Sequence, residues 1–144
     1  MTYADTHNQN RDDAWFLDSG CSNHMSGERG KFTNLDETFQ HSVKMGDNSR
    51  ISVTGKGSMK LILNGINHVV NEVYYVPKLN NNLLSIGQLQ ENGLAIVFKG
   101  GTCKIYHPER GLIVETRISI NRMFILLAET RLVSNDQRCL YANS

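Results

Sequence analysis

From residue 43 onward, apolar positions recur at every second residue. Val43 and Met45, then Ile51 and Val53, then Met59, Leu61 and Leu63 alternate with polar neighbours, the pattern of half-buried strands. Gly46-Asp47-Asn48-Ser49 lies between the first two and predicts a hairpin turn. Asn64-Gly65 separates the third from a fourth apolar run over residues 69–76, which Pro77 ends. Residues 83–93, LLSIGQLQENG, break the alternation. Ser85 and Gln88 stand at capping-box spacing, and Gly93 sits where a helix C-terminus favours a left-handed residue, so one short helix is predicted here. Strand patterning returns over 94–99, 102–106, 112–117 and 123–128, with turns at Gly100-Gly101, 107–111 and 119–122. Leu94, Ile96 and Phe98, then Cys103 and Ile105, then Leu112 and Val114 keep the period of two, which predicts packed strands and not a free linker.

The first part of the chain is organised differently. Trp15-Phe16-Leu17 is a short apolar run that ends at Asp18-Ser19-Gly20, and a Gly/Ser/Asn-rich stretch follows to about Gly30. Residues 1–14 and 129–144 are polar and read as linkers. The pattern predicts a mainly β chain with one short helix.

Composition changes this picture only a little. Leu, Ile, Val and Phe supply 38 of the 144 residues, enough for one core and against wholesale disorder. No apolar run is long enough to span a membrane, and the polar first fifteen residues do not resemble a signal peptide. Fifteen basic and fourteen acidic side chains give a net charge of +1, and the basic residues are scattered singly. A nucleic-acid binder would show a stripe or arm, so nucleic acid is not expected as a partner of this domain. Cys21, Cys103 and Cys139 are odd in number and widely spaced, with no CxxC and no glycosylation sequon. Reduced thiols in a cytoplasmic protein are the expectation.

Most catalytic signatures are missing: there is no GxSxG, no HExxH and no Walker A loop. Cys21 and His24 have a C-x2-H spacing, but no second pair completes a four-ligand zinc set. No metal and no cofactor are therefore expected. Cys21 reads as a small packed side chain, and His24 as a polar residue that bonds locally, outside any mechanism. Asp18-Ser19-Gly20 is the candidate of consequence. A D-[ST]-G tripeptide arises by chance in roughly one of fifteen chains of this length, and such a tripeptide is often an ordinary turn. Its place directly after an apolar strand favours function, because burial there can tune a carboxylate.

Three blocks now carry a resemblance: WFLDSGCSNHMSG, VKMGDNSRISVTGKGSM and VYYVPKLNNNLLSIGQL, in that order over residues 15–89. Together they resemble the protease region of copia-type LTR-retrotransposon polyproteins, particularly those of plants. Residues 94–128 resemble, more loosely, the lead-in to the gag-pre-integrase segment of the same polyproteins. The resemblance implies a small, closed, retropepsin-like β-barrel over residues 15–93, with additional strands over 94–128. It also implies an aspartic endopeptidase active only as a homodimer, acting on its parent Gag-Pol polyprotein within the element's virus-like particle in the cytoplasm. Two carboxylates sharing one proton are needed for that chemistry. With a single D-[ST]-G, the second must come from another copy.

The implied roles are these. One Asp18 takes a proton from water while its partner polarises the peptide carbonyl. Ser19 fixes the loops across the dimer, and Gly20 keeps the backbone clear of substrate. The hairpin tipped by Gly46, Asp47, Asn48 and Ser49 resembles the flap over the substrate, with Gly55-Lys56-Gly57 as the rival tip. Leu83, Leu84 and Ser85 occupy the place of the apolar pair and Gly that support the catalytic loop; Ser for Gly is a departure. The alternative function is a catalytically inactive β-barrel scaffold or binding module derived from such an element.

Overall fold

The computed structural model of the chain describes residues 14–119 and 123–127. The readings of residues 1–14 and 129–144 as linkers lie outside the described residues, as does Cys139, except at Ala14, which is buried at the start of a strand and is not linker. Twelve strands and one α-helix follow in order: β1 Ala14–Asp18, β2 Met25–Ser26, β3 Phe32–Asp36, β4 His41–Lys44, β5 Arg50–Val53, β6 Gly55–Leu63, β7 Ile66–Tyr75, β8 Asn82–Ser85, α1 Ile86–Glu91, β9 Ala95–Lys99, β10 Thr102–His107, β11 Gly111–Arg117 and β12 Ile125–Leu127. A short 3-10 turn, Arg29–Lys31, precedes β3.

Seven strands form one sheet in the order β12-β1-β8-β2-β7-β6-β3. No ladder among the described residues joins its two edges, β12 and β3. Strands β9, β10 and β11 form a three-stranded meander, and β4 with β5 a separate hairpin. Within the large sheet β1 runs parallel to β8, and β2 parallel to β7. The alternation read from the sequence is clearest in β6, where every second residue from Gly55 to Leu63 is buried. Asn64 and Gly65 both take positive φ, 51° and 80°, the backbone of a tight two-residue turn between β6 and β7.

One core cluster joins Trp15, Leu17, Met59, Leu61, Val73, Leu84 and Leu89 to Cys103, Ile105, Ile113 and Leu126. The late strands thus bury side chains against the sheet that holds Asp18. A second, smaller cluster of Met25, Val53 and Val76 gathers Cys21, Val43, Ile51, Tyr74 and Leu83 around it, seating the β4–β5 hairpin on the large sheet.

The helix starts at Ile86 directly behind the Ser85 cap, as the capping-box spacing predicts, and Leu83 and Leu84 before it are strand residues paired with Phe16 and Leu17. Three readings need correction. Phe32–Asp36 is a strand that the period of two does not reveal, because a bulge between Phe32 and Asn34 shifts the inward position from Asn34 to Leu35. In β11 it is Ile113 that is buried, while Leu112 is 50% exposed; a bulge opposite Ile105/Tyr106 resets that face. Phe98 is 48% exposed and packs its ring at a tilt against Phe124, centroids 5.1 Å apart, so it is not a core residue.

Candidate functional site at the end of strand β1

Strand β1 is buried along Ala14 to Leu17 and emerges at Asp18. Its parallel neighbour β8 sets the register Leu17↔Leu84 and Asp18↔Ser85. The apolar seam therefore stops at the residue where the carboxylate begins. The Asp18-Ser19-Gly20 turn is closed by the Gly20 N–H, which donates to Asp18 Oδ1 at 2.7 Å. A Cβ at position 20 would stand 3.3 Å from that same oxygen, so Gly20 keeps the approach to the carboxylate open. Ser19 is exposed.

The Asp18 loop and the β4–β5 hairpin face each other across a cleft of about 210 Å3, lined by Asp18, Gly20, Cys21 and Met25 on one side and Val43, Lys44, Met45 and Gly46 on the other. The hairpin turn is built locally. Asp47 Oδ1 accepts from the Ser49 N–H at 2.9 Å and from its hydroxyl at 2.6 Å. Asn48 takes φ 73°, a left-handed position that Asn tolerates. Hydrogen bonding to Ser49 also holds the Asp47 carboxyl below the usual carboxylate range. Gly46, Asp47, Asn48 and Ser49 are all exposed at the tip, and Gly46 lines the cleft. Gly55-Lys56-Gly57, the rival tip, lies inside β6 with both glycines buried. Gly57 is there because β3 crosses so closely: an added Cβ would sit 2.0 Å from the Asn34 carbonyl oxygen.

Beneath the loop, Leu84 and Ser85 are buried and Leu83 is half-buried. Ser85 has two jobs that glycine could not perform. Its Oγ accepts from the Gln88 N–H at 3.1 Å, capping α1, and donates to the Cys21 carbonyl at 2.8 Å. The departure from the expected Gly thus ties the helix start to the loop carrying Asp18.

The sequence reading missed how His24 is used. His24 is fully buried, and its Nδ1 accepts from the Ser85 N–H at 3.0 Å, sixty-one residues away along the chain. Its expected local bonding is therefore replaced by a long-range tie, because β8 runs directly beside the loop. Gln88 adds to it: Oε1 accepts from the His24 N–H at 2.9 Å, and Nε2 donates to the Asn71 carbonyl at 2.7 Å. Further along, Ser26 Oγ donates to Asn82 Oδ1 at 2.7 Å, and Asn82 Nδ2 donates to the Ala14 carbonyl at 3.2 Å. Little in the sequence signals this: His24 and Asn82 each end a polar run, yet with Ser26, Ser85 and Gln88 both are buried. Buried polar groups must find partners, so they find one another.

Burial, and secondarily the Asp18 carboxylate, push the Cys21 thiol up to about 12. It stays protonated near neutrality and is no nucleophile. Burial lowers His24 to about 4, so the imidazole is neutral. Among the described residues no three His, Cys, Asp or Glu side chains converge as metal ligands would, and no helix is long and apolar enough to cross a membrane.

Residues 15–94 match the family described as Pol polyprotein, beta-barrel domain. The chain is 34% identical over 79 residues to the Retrovirus-related Pol polyprotein from transposon RE2 of Arabidopsis thaliana, covering 52% of this chain and 5% of that protein. It is 30% identical over 89 residues to the corresponding polyprotein from transposon RE1, covering 58% of this chain and 6% of that protein. The match thus spans only a small part of those relatives' length. With the matched segment running from the strand that carries Asp18 through α1, the chain belongs to the Pol polyprotein β-barrel domain family.

Proposed function

We propose that this chain is the aspartic endopeptidase segment of a copia-type retrotransposon Pol polyprotein, active as a homodimer that places two Asp18 carboxylates side by side. The observation that carries the reading is the shared cleft: a carboxylate at the end of a buried strand faces a hairpin tip, with Gly20 and Gly46 leaving room between them. In the dimer, one ionised Asp18 accepts a proton from water as the water attacks the peptide carbonyl. The other, protonated, polarises that carbonyl and then helps protonate the leaving amine. Two carboxylates that close cannot both ionise, which is what keeps one proton in the pair. The β4–β5 hairpin acts as the flap and excludes water from the bound peptide. Ser19, exposed beside Asp18, is free to bond across the twofold axis. Leu83, Leu84 and Ser85 hold the loop from below. Residues 15–93 form the retropepsin-like unit of this reading, to whose seven-stranded sheet the added strands over 94–128 contribute β12. The substrate is the parent polyprotein, cut within the element's particle in the cytoplasm.

One feature favours a second reading, a non-catalytic β-barrel scaffold. Asp18 is the single carboxylate lining its cleft among the described residues, so a chain that never pairs has no dyad. The deciding experiment is cleavage of parent-junction peptides by the full chain and by Asp18→Asn. An amide fills the same space but cannot alternate as base and acid. Turnover should fall to background while the far-UV spectrum is unchanged. Retained turnover in the purified variant removes Asp18 from the mechanism, and a wild-type chain that dimerises yet cuts nothing supports the scaffold.

A further inference from the structure

We propose that His24 is a positioning residue for the Asp18 loop, a buried latch that holds the loop to β8 while its imidazole is neutral and releases it in acid. This rests on the reading of Asp18 as the catalytic group, but its structural part can be tested without any cleavage.

The geometry is specific. Nδ1 accepts from the Ser85 N–H at 3.0 Å, and Ser85 is the β8 residue in register with Asp18. The Ser85 hydroxyl in turn donates to the Cys21 carbonyl, within the same loop as Asp18 and His24. The loop is therefore fastened to β8 at both its beginning and its end. An accepting Nδ1 assigns the ring proton to Nε2. That nitrogen is buried and has no hydrogen-bond partner among the described residues. Leaving a buried donor unpaired is costly, a cost that Trp15 Nε1 and His68 Nε2 share. What an imidazole offers here is an acceptor that a proton can remove.

Protonation puts a hydrogen on Nδ1, facing the Ser85 N–H, and places a charge in a site with no anion to receive it. Three elements hydrogen-bond to His24 among the described residues. Strand β8 brings Ser85 and no titratable side chain. Helix α1 brings Gln88, with Glu91 at its far end. Strand β7 brings Tyr74, whose N–H donates to the His24 carbonyl at 2.8 Å, with Glu72 two residues before it, its carboxylate paired with Lys56 at 3.0 Å. Asp18 and Cys21 are the titratable groups of its own loop. Burial is the cause that lowers the imidazole, with no carboxylate opposing it. The neutral form is thus favoured until the solution is well below the range where an exposed histidine titrates.

The test uses the full chain in an Asp18→Asn background, which removes the dyad's own titration. Trp15, the single tryptophan, is buried on β1 and paired with Asn82 of β8, so its fluorescence reports on the β1–β8 seam. A reversible change centred near pH 4 is expected. His24→Asn keeps an acceptor close to the Nδ1 position and cannot titrate. In that double variant the midpoint should move down by at least one pH unit, while every surface carboxylate is unchanged. An unmoved midpoint overturns the proposal. Should His24→Asn fail to fold, nitrogen NMR of the imidazole in the Asp18→Asn chain decides instead. A neutral Nε2–H ring that persists below pH 5 supports the latch, and a ring that titrates near 6.5 overturns it. Absence of peptide cleavage by the wild type would sink the protease reading alone, because neither spectroscopic readout depends on turnover.

Discussion

Leu126→Ala should destabilise the whole domain although the residue lies 32 positions beyond the matched family segment. Leu126 is 1% exposed. It stands opposite Trp15 in the β1–β12 ladder, and the ladder is extended by the Leu17 N–H donating to the Phe124 carbonyl at 3.0 Å. Truncating a buried leucine removes its transfer free energy and leaves a cavity, together about 2–5 kcal/mol. For a chain of this size about 3 kcal/mol corresponds to a fall of about 10 °C in Tm. Urea unfolding should show a lower midpoint with an unchanged slope. Removing residues 94–144 is the larger version of the same perturbation. It takes away Cys103, Ile105, Ile113 and Leu126, all buried in the cluster that contains Trp15 and Leu84. At about 1.5–3 kcal/mol for each buried apolar side chain, the loss rivals the roughly 5–15 kcal/mol of a typical domain. Residues 1–93 should therefore lack a cooperative melt. If they melt at the wild-type temperature with the wild-type urea slope, the late strands are passengers and this energetic reasoning is wrong.

Gly57→Ala should cost about 1–3 kcal/mol, because the new methyl meets the backbone of Asn34 and not a movable side chain; Gly46→Ala, which opens onto free space, should stay within about 0.5 kcal/mol. Equal melts for the two variants would refute the close β3–β6 crossing. If the dimer proposal holds, specific activity should fall on dilution in step with a monomer–dimer equilibrium in the ultracentrifuge; full activity from a sedimenting monomer would contradict it. His24 also carries a stability term with a definite sign. Its folded value near 4 lies below 6.5, so the unfolded chain binds the extra proton, and stability is complete above about pH 6.5 and lost as pH falls toward 4. At about 1.4 kcal/mol per pH unit the loss approaches about 3 kcal/mol, and in urea titrations of wild type against His24→Asn the pH dependence of stability should differ only in that window.

Much of the molecule is legible from residue pattern because it depends on local rules. The alternation in β6, the Asn64-Gly65 turn, the Gly46–Ser49 hairpin and the Ser85 cap are each set by neighbours in sequence. What escapes the pattern depends on irregularity or distance. Phe32 and Leu35 stand three apart, which is out of phase for a strand until the bulge is known. Ile113 is hidden by the same effect in β11. Strand β2 has only two residues, too few for any period to register. At the candidate site, Asp18 is visible through its tripeptide and the hairpin through its turn chemistry. Their meeting across one cleft, and the tie from His24 to Ser85, join residues that no spacing rule connects.

The parallel β1–β8 pairing also constrains when the site can exist. Strand β1 is among the first described elements to be synthesised, yet its neighbours on the two sides are residues 82–85 and 125–127. Neither edge can be satisfied by a nearby hairpin, so ordering β1 requires two long loops to close first. On a ribosome, the strand that carries Asp18 must wait until residue 127 has emerged before both of its ladders can form. Strand β1 therefore reaches its complete pairing only after the segment that carries β12 has been made. The topology itself thus delays the ordering of the strand that carries Asp18.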